Sequence, residues 1–187
     1  PYVSRAFPRP VNSRRISTMS STSHIAMSAA IIGIGGTVAL DLWAALLQRV
    51  FGTPATNWAM VGRWLAHMRE GQFVHESIGA ASPVRGELAL GWFFHYAIGI
   101  AYGFLLIAWQ GAAWLQQPTA IAAVVLSLAL LVAPYFVMMP GLGLGVAGAK
   151  TPKPNVTRVK SVMAHTAFGL GMYLSALLLS EIRGAGI

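Results

Sequence analysis

Residues 37–48, TVALDLWAALLQ, set a single acid, Asp41, in the middle of an apolar run. No other Asp, Glu, Lys or Arg lies between Arg15 and Arg49. A helix needs about 20 apolar residues to cross the hydrocarbon of a bilayer, and this stretch supplies them. A carboxylate within such a helix is costly in lipid, so it has to face protein. Counting in fours from Asp41 gives Ala29, Gly33 and Thr37 before it and Ala45 after it. Residues so spaced share a helix face, and small ones let a second membrane helix approach closely. The stretch therefore predicts a helix bundle with Asp41 turned to its interior.

The rest of the chain agrees. Of its 187 residues 56% are hydrophobic and only 10% charged, with a mean hydropathy of +0.62. Soluble domains carry roughly a quarter charged residues. Four spans are expected, near 25–48, 88–109, 119–139 and 159–180, within one membrane domain covering 24–187. Trp109 and Trp114 flank the turn between the second and third spans, where interfacial aromatics commonly sit. Pro118 suits a helix start, and Pro134 should kink the third span and free a carbonyl. Segment 56–69 sets Trp58, Val61, Trp64, Leu65 and Met68 on one helical face, with Arg63 and His67 on another. An amphipathic helix at the membrane interface fits this pattern, as does a short helix packed over the bundle mouth. The fold class is thus all-α, an integral membrane four-helix bundle with an interfacial amphipathic helix between its first two spans.

Residues 1–23 differ, with four Arg, many Ser and no acid. That basic tail reads either as a processed organellar leader or as vector-like sequence upstream of Met19, held by a partner if ordered. The formal charge of +8 comes from 13 Lys and Arg against 5 Asp and Glu. Its basic residues cluster in the tail and in segments 51–87 and 140–158, so they read as topology and headgroup signals rather than nucleic-acid contacts. With the tail set aside, both basic segments face the cytoplasm. The chain has no Cys, which excludes disulfides, thiolate metal sites and cysteine nucleophiles.

Two further spans repeat the pattern around Asp41. The second carries Gly91, His95, Gly99 and Gly103 at steps of four, and the fourth Ser161, His165, Gly169 and Tyr173. At about 1.5 Å per residue, Asp41, His95 and His165 lie roughly 6–13 Å from the same membrane face, and Tyr135 approaches that face along the third span. The expectation is an intramembrane polar cluster of Asp41, His95, Tyr135 and His165. Its roles are an interhelical hydrogen-bond cluster first, then a proton relay, a divalent metal held by Asp41, His95 and His165, or a lipid-headgroup pocket. The metal reading is weak, because those ligands come from three helices with no i, i+3 or i+4 pair. A secondary polar group at the cytoplasmic mouth comprises Arg63, His67, His75 and Glu87.

Segment 138–154, MMPGLGLGVAGAKTPKP, lacks the spacing of a nucleotide-binding loop, since Ala149 separates the last glycine from Lys150. Its backbone N–H groups with Lys150, Lys153 and Arg158 make a candidate cup for a lipid headgroup. A plain flexible loop ranks ahead of that reading. No hydrolase motif is present, and the chain leans away from an enzyme. An accessory, oligomeric or lipid-binding role comes first, with membrane lipids, further copies or a larger complex as partners and no resident cofactor. A small proton-coupled transporter or a metal-dependent membrane enzyme is the alternative.

The phrases DLWAALLQRVFG (41–52), NWAMVGRWLAHM (57–68), GELALGWFFHYAIGIAY (86–102), AKTPKP (149–154) and HTAFGLGMYLSALLL (165–179) resemble, in this order, the domain-of-unknown-function 2938 family. The resemblance runs from about residue 25 to 182. It implies a small multi-pass protein of the bacterial inner membrane with about four helices, against an organellar inner membrane as the alternative. It implies no activity and no site residues.

Overall fold

Long uncharged runs become helices here because a helix satisfies every backbone polar group within its own segment. The computed structural model describes residues 13–185, with side chains from residue 22 onward; most of the basic tail lies outside the described side chains. Helix α1 runs Ser13–Phe51, α2 Trp58–Met68 and α3 Glu87–Gln110. A 3₁₀ turn, Ala112–Leu115, leads to α4 (Ala120–Ala129). The third span then passes through a π-helical segment, Pro134–Met138, into the short α5 (Met139–Gly141), and α6 covers Pro154–Gly184. Among the described residues there is no strand. Four helical stretches are long and apolar enough to cross a membrane: Thr22–Phe51, Glu87–Gln110, Ala120–Gly141 and Pro154–Gly184.

Helix α1 is the central element. It packs on α3 along one stripe and on α6 along another, and α4 packs on the far side of α6. The first stripe is the one that carries Asp41. A Cβ added at Gly33 would collide with the Gly99 carbonyl, and one at Gly103 with the Ala29 carbonyl, so these two backbones touch. On the second stripe Gly35 and Gly36 meet Ser175 and Met172 of α6. Gly169 lies against Ala123, Val124 and Ser127 of α4. Ile32, Leu106, Phe168, Met172 and Ala176 fill the core between these seams. Arg183 ties the end of α6 to Ser28 of α1.

Pro134 does more than kink its helix. Proline has no N–H to give and its ring crowds the preceding turn. Helix α4 accordingly stops at Ala129, and the chain resumes after Ala133 with one π turn, a form common at functional sites. Trp114 is 7% exposed and packs in the core, donating to the Thr119 hydroxyl at 3.2 Å. It is not an interfacial anchor, because the 3₁₀ turn folds its ring inward. Trp109, 53% exposed, keeps the outward position expected of it.

Helix α2 lies between the first two spans, as its pattern implies. Asn57 caps it, accepting from the Ala59 N–H at 3.1 Å. Both of its faces are covered. A Cβ at Gly62 would collide with the Glu87 carbonyl, and one at Gly91 with the Trp58 carbonyl, so α2 and α3 touch backbone to backbone. The opposite, polar face is covered by the segment that follows it.

Candidate functional site

His95 stands where two helices meet one stripe of α3. Gly91, one turn before it, accommodates α2, and Gly99, one turn after it, accommodates α1. Between them the imidazole reaches both neighbours. Its Nε2 lies 2.9 Å from Asp41 Oδ1, and its ring stacks on Trp58 with centroids 3.9 Å apart. Tyr96 donates its hydroxyl to the other carboxylate oxygen, Asp41 Oδ2, at 3.1 Å. A carboxylate can only accept, so His95 Nε2 carries the proton and Nδ1 is left free for a second role. Asp41 keeps 23% of its side chain exposed and sits in the seam between α1 and α3. The expectation of an acid facing the bundle interior is corrected in that respect: Tyr96 lies beside His95 on α3 and draws the carboxylate sideways.

The four-residue cluster does not assemble. Tyr135 donates its hydroxyl to the Arg158 carbonyl at 3.0 Å, because the π turn after Pro134 shifts the phase of the third span. His165 donates Nδ1–H to the Ser161 carbonyl of its own helix at 3.1 Å, while its own carbonyl accepts from the Ser127 hydroxyl of α4. Among the described residues no three His, Asp or Glu side chains come together as a metal-binding group. The set Asp41, His95 and His165 therefore lacks the convergence a shared ion requires.

His95 and His165 do share a different feature. A cavity of about 450 Å³ opens between the spans at the end that carries the basic loops, within the ~300–1,000 Å³ typical of ligand pockets. Leu40, Ile98, Tyr102, Val137 and Phe168 supply much of its apolar wall, and Trp43, Trp58 and Trp64 border it. Thr37, Thr53, Thr56, Thr157, Lys160, Ser161 and the two histidines are the polar lining. Lys160 Nζ donates to the Pro54 carbonyl at 3.1 Å. Trp43 Nε1 and Thr53 Oγ1, on two of the lining residues, are buried with no hydrogen-bond partner among the described residues.

The secondary group at the mouth resolves into two locks. Arg63 grips Glu87 through a bidentate pair, Nε to Oε2 and Nη2 to Oε1, both 2.8 Å. It also donates to the carbonyls of Ala81 at 2.9 Å and Ile78 at 3.2 Å. The hydrogen bond to Glu87 raises the guanidinium pKa above its already high ordinary value. His67 and His75 are 7% and 6% exposed, with Nδ1 of the first 2.8 Å from Nε2 of the second. His75 Nδ1 faces the Gly141 carbonyl at 3.3 Å. Since a carbonyl only accepts, the proton order follows: His75 donates to Gly141 and His67 donates to His75. These histidines are a buried pair, separate from the Asp41 group. With Trp64 Nε1 donating to the Phe73 carbonyl at 2.8 Å, they fasten α2 and its loop over the cavity.

Several N–H groups of the glycine-rich loop pair within it. Leu144 N donates to Met139 O, Lys150 N to Leu144 O and Thr151 N to Gly148 O, at 2.8–2.9 Å. Gly143 has φ +83° and lies against the Glu76 carbonyl, where a side chain would clash. Arg158 gives its guanidinium to the Ala147 carbonyl and Asn155 Oδ1, each at 3.2 Å, while Lys150 and Lys153 are exposed. The paired N–H groups are not open to a headgroup.

Counting in fours overlooked Tyr96, Trp43, Thr53 and Lys160. Tyr96 had a signal, since two adjacent donors on α3 can straddle one carboxylate. Trp43 and Thr53 had none, because an unpaired buried atom is visible only in three dimensions.

No curated protein and no solved structure is significantly similar to the chain. The model of the family described as "Protein of unknown function (DUF2938)" matches residues 30–179, most of the chain and all the residues of the Asp41 pair and the cavity. The protein belongs to that family.

Proposed function

We propose that this protein binds a membrane-derived amphiphile in the cavity between its four spans, with the basic loops on the cytoplasmic side of a bacterial inner membrane. The observation that carries this reading is the mismatch in the cavity wall. It is mostly apolar, yet Thr157, Lys160 and Ser161 bring polar side chains to it at the end with the basic loops. Water alone would suit a more polar chamber, whereas a molecule with an apolar body and a polar end satisfies both parts of the wall at once. A photoactivatable alkyl diazirine lipid, supplied in phosphatidylcholine nanodiscs, tests it. Labelling at Ile98, Tyr102, Val137 or Phe168 is the expected result, and labelling confined to outward residues such as Phe93 and Ile121 counts against it.

A proton-coupled carrier is the second reading, and one observation favours it. His95 lines the cavity and its Nε2 meets Asp41, so one imidazole contacts both the carboxylate and the chamber. Amphiphile movement that stops in Asp41→Asn, while binding persists, supports this extension. Unchanged movement removes it.

A further inference from the structure

We infer that the ligand's polar end is an anion, a carboxylate or phosphate carried on an alkyl chain, received by Lys160. The inference rests on the cavity reading above and specifies its chemistry. Two observations on the lining converge. Lys160 brings a cation to the wall, and among the described residues no Asp or Glu lines the cavity. The one hydrogen bond shown for its ammonium goes to the Pro54 carbonyl, so two of its three donors remain.

The character of this group selects the ligand. An ammonium donates and cannot accept, so a ligand end made of donors leaves it unsatisfied. Carboxylate and phosphate are rich in acceptors and add charge to their hydrogen bonds, which are shorter and stronger than neutral ones. The hydroxyls of Thr157 and Ser161 donate to the carbonyls of Lys153 and Thr157 at 3.3 and 3.0 Å. They are already paired and do not compete for the head. Exposed Pro54, Ala55 and Thr56 border the cavity at this end, which sets the head by the loop and the chain along Ile98, Tyr102 and Phe168. Asp41, the nearest acid to the lining described above, is occupied by His95 and Tyr96 and is not in the wall.

The test compares three probes with one tail, hexadecanoate, hexadecyl phosphate and hexadecanol, and inorganic phosphate without a tail. Binding to the full chain in phosphatidylcholine nanodiscs is read by quenching of tryptophan fluorescence, with empty nanodiscs correcting for partition. At least one anionic probe should bind on the order of tenfold more tightly than hexadecanol. Lys160→Gln should abolish that preference while leaving hexadecanol binding intact, which also shows that the variant is folded. Equal binding of all three alkyl probes, unaltered by Lys160→Gln, would overturn the anion and leave the cavity reading standing. Failure of every alkyl probe would overturn both. Inorganic phosphate binding as tightly as hexadecyl phosphate would overturn the alkyl source, because the tail would then contribute nothing.

Discussion

The two ends of the bundle use the same helices in opposite ways. Toward the Ala112–Leu115 turn, α1 meets α3 through Ala29, Gly33 and Gly103, and α6 through Gly35 and Gly171, with backbones in contact and no gap. Toward the basic loops, the neighbours of the same helices carry Trp43, Trp58, Phe94 and Phe168, and the third span unwinds into a π turn. Rings of that size cannot close a four-helix contact, and the π turn moves Pro134 and Val137 off the α-helical path. The first end is a seal and the second a chamber. Small residues at the seams let the former close around Ile32, Leu106 and Met172; the latter has bulky ones with a break in one helix.

Substitutions that reverse this division should have graded effects. Gly33→Leu at the sealed end forces a side chain into the Gly99 backbone, which cannot yield by rotamer change. A loss of about 3 kcal/mol or more is expected, seen as little monodisperse protein on size exclusion. Next comes the lock on α2. Arg63→Ala releases the Glu87 carboxylate and two loop carbonyls together, so protease should cut within residues 52–86 while the spans stay intact. Arg63→Lys should not rescue, since an ammonium cannot reproduce the bidentate fork.

His75→Ala removes the acceptor of His67 and the donor to Gly141, at an expected cost of about 1–3 kcal/mol, measurable as a lower melting temperature. Asp41→Asn keeps an acceptor for Tyr96 and loses only the charged partner of His95. About 1 kcal/mol or less is expected, with a shifted His95 nitrogen resonance as the direct readout. The mildest change is at the open end. Ala44→Leu points into the cavity and should alter stability by less than about 1 kcal/mol. If it proved as damaging as Gly33→Leu, the contrast between seal and chamber would fail.

The sealed end was legible in the sequence and the chamber was not, for a physical reason. A helix face repeats in the chain, so the steps Ala29–Gly33–Thr37–Asp41 and Gly91–His95–Gly99–Gly103 announced close contacts and joined Asp41 to His95. Periodicity says nothing about which neighbour fills each turn of a stripe. On α3 the stripe is divided between α2 and α1, and His95 gained Trp58 from that division. Phase is lost after a helix break, so Tyr135 could not be placed by counting across Pro134. A histidine can bond its own helix four residues back, and His165 does. The loop lysines and Arg158 stood out by charge, whereas Lys160, the cation that lines the cavity, lay inside an apolar run and was counted with the loops.

Native mass spectrometry of the protein released gently from its own membrane tests the central claim most directly, comparing wild type with Ala164→Trp, which fills the chamber from α6. A bound amphiphile retained by wild type and absent from the folded variant is the expected result. The same lipids on both proteins, or none on either, would contradict it.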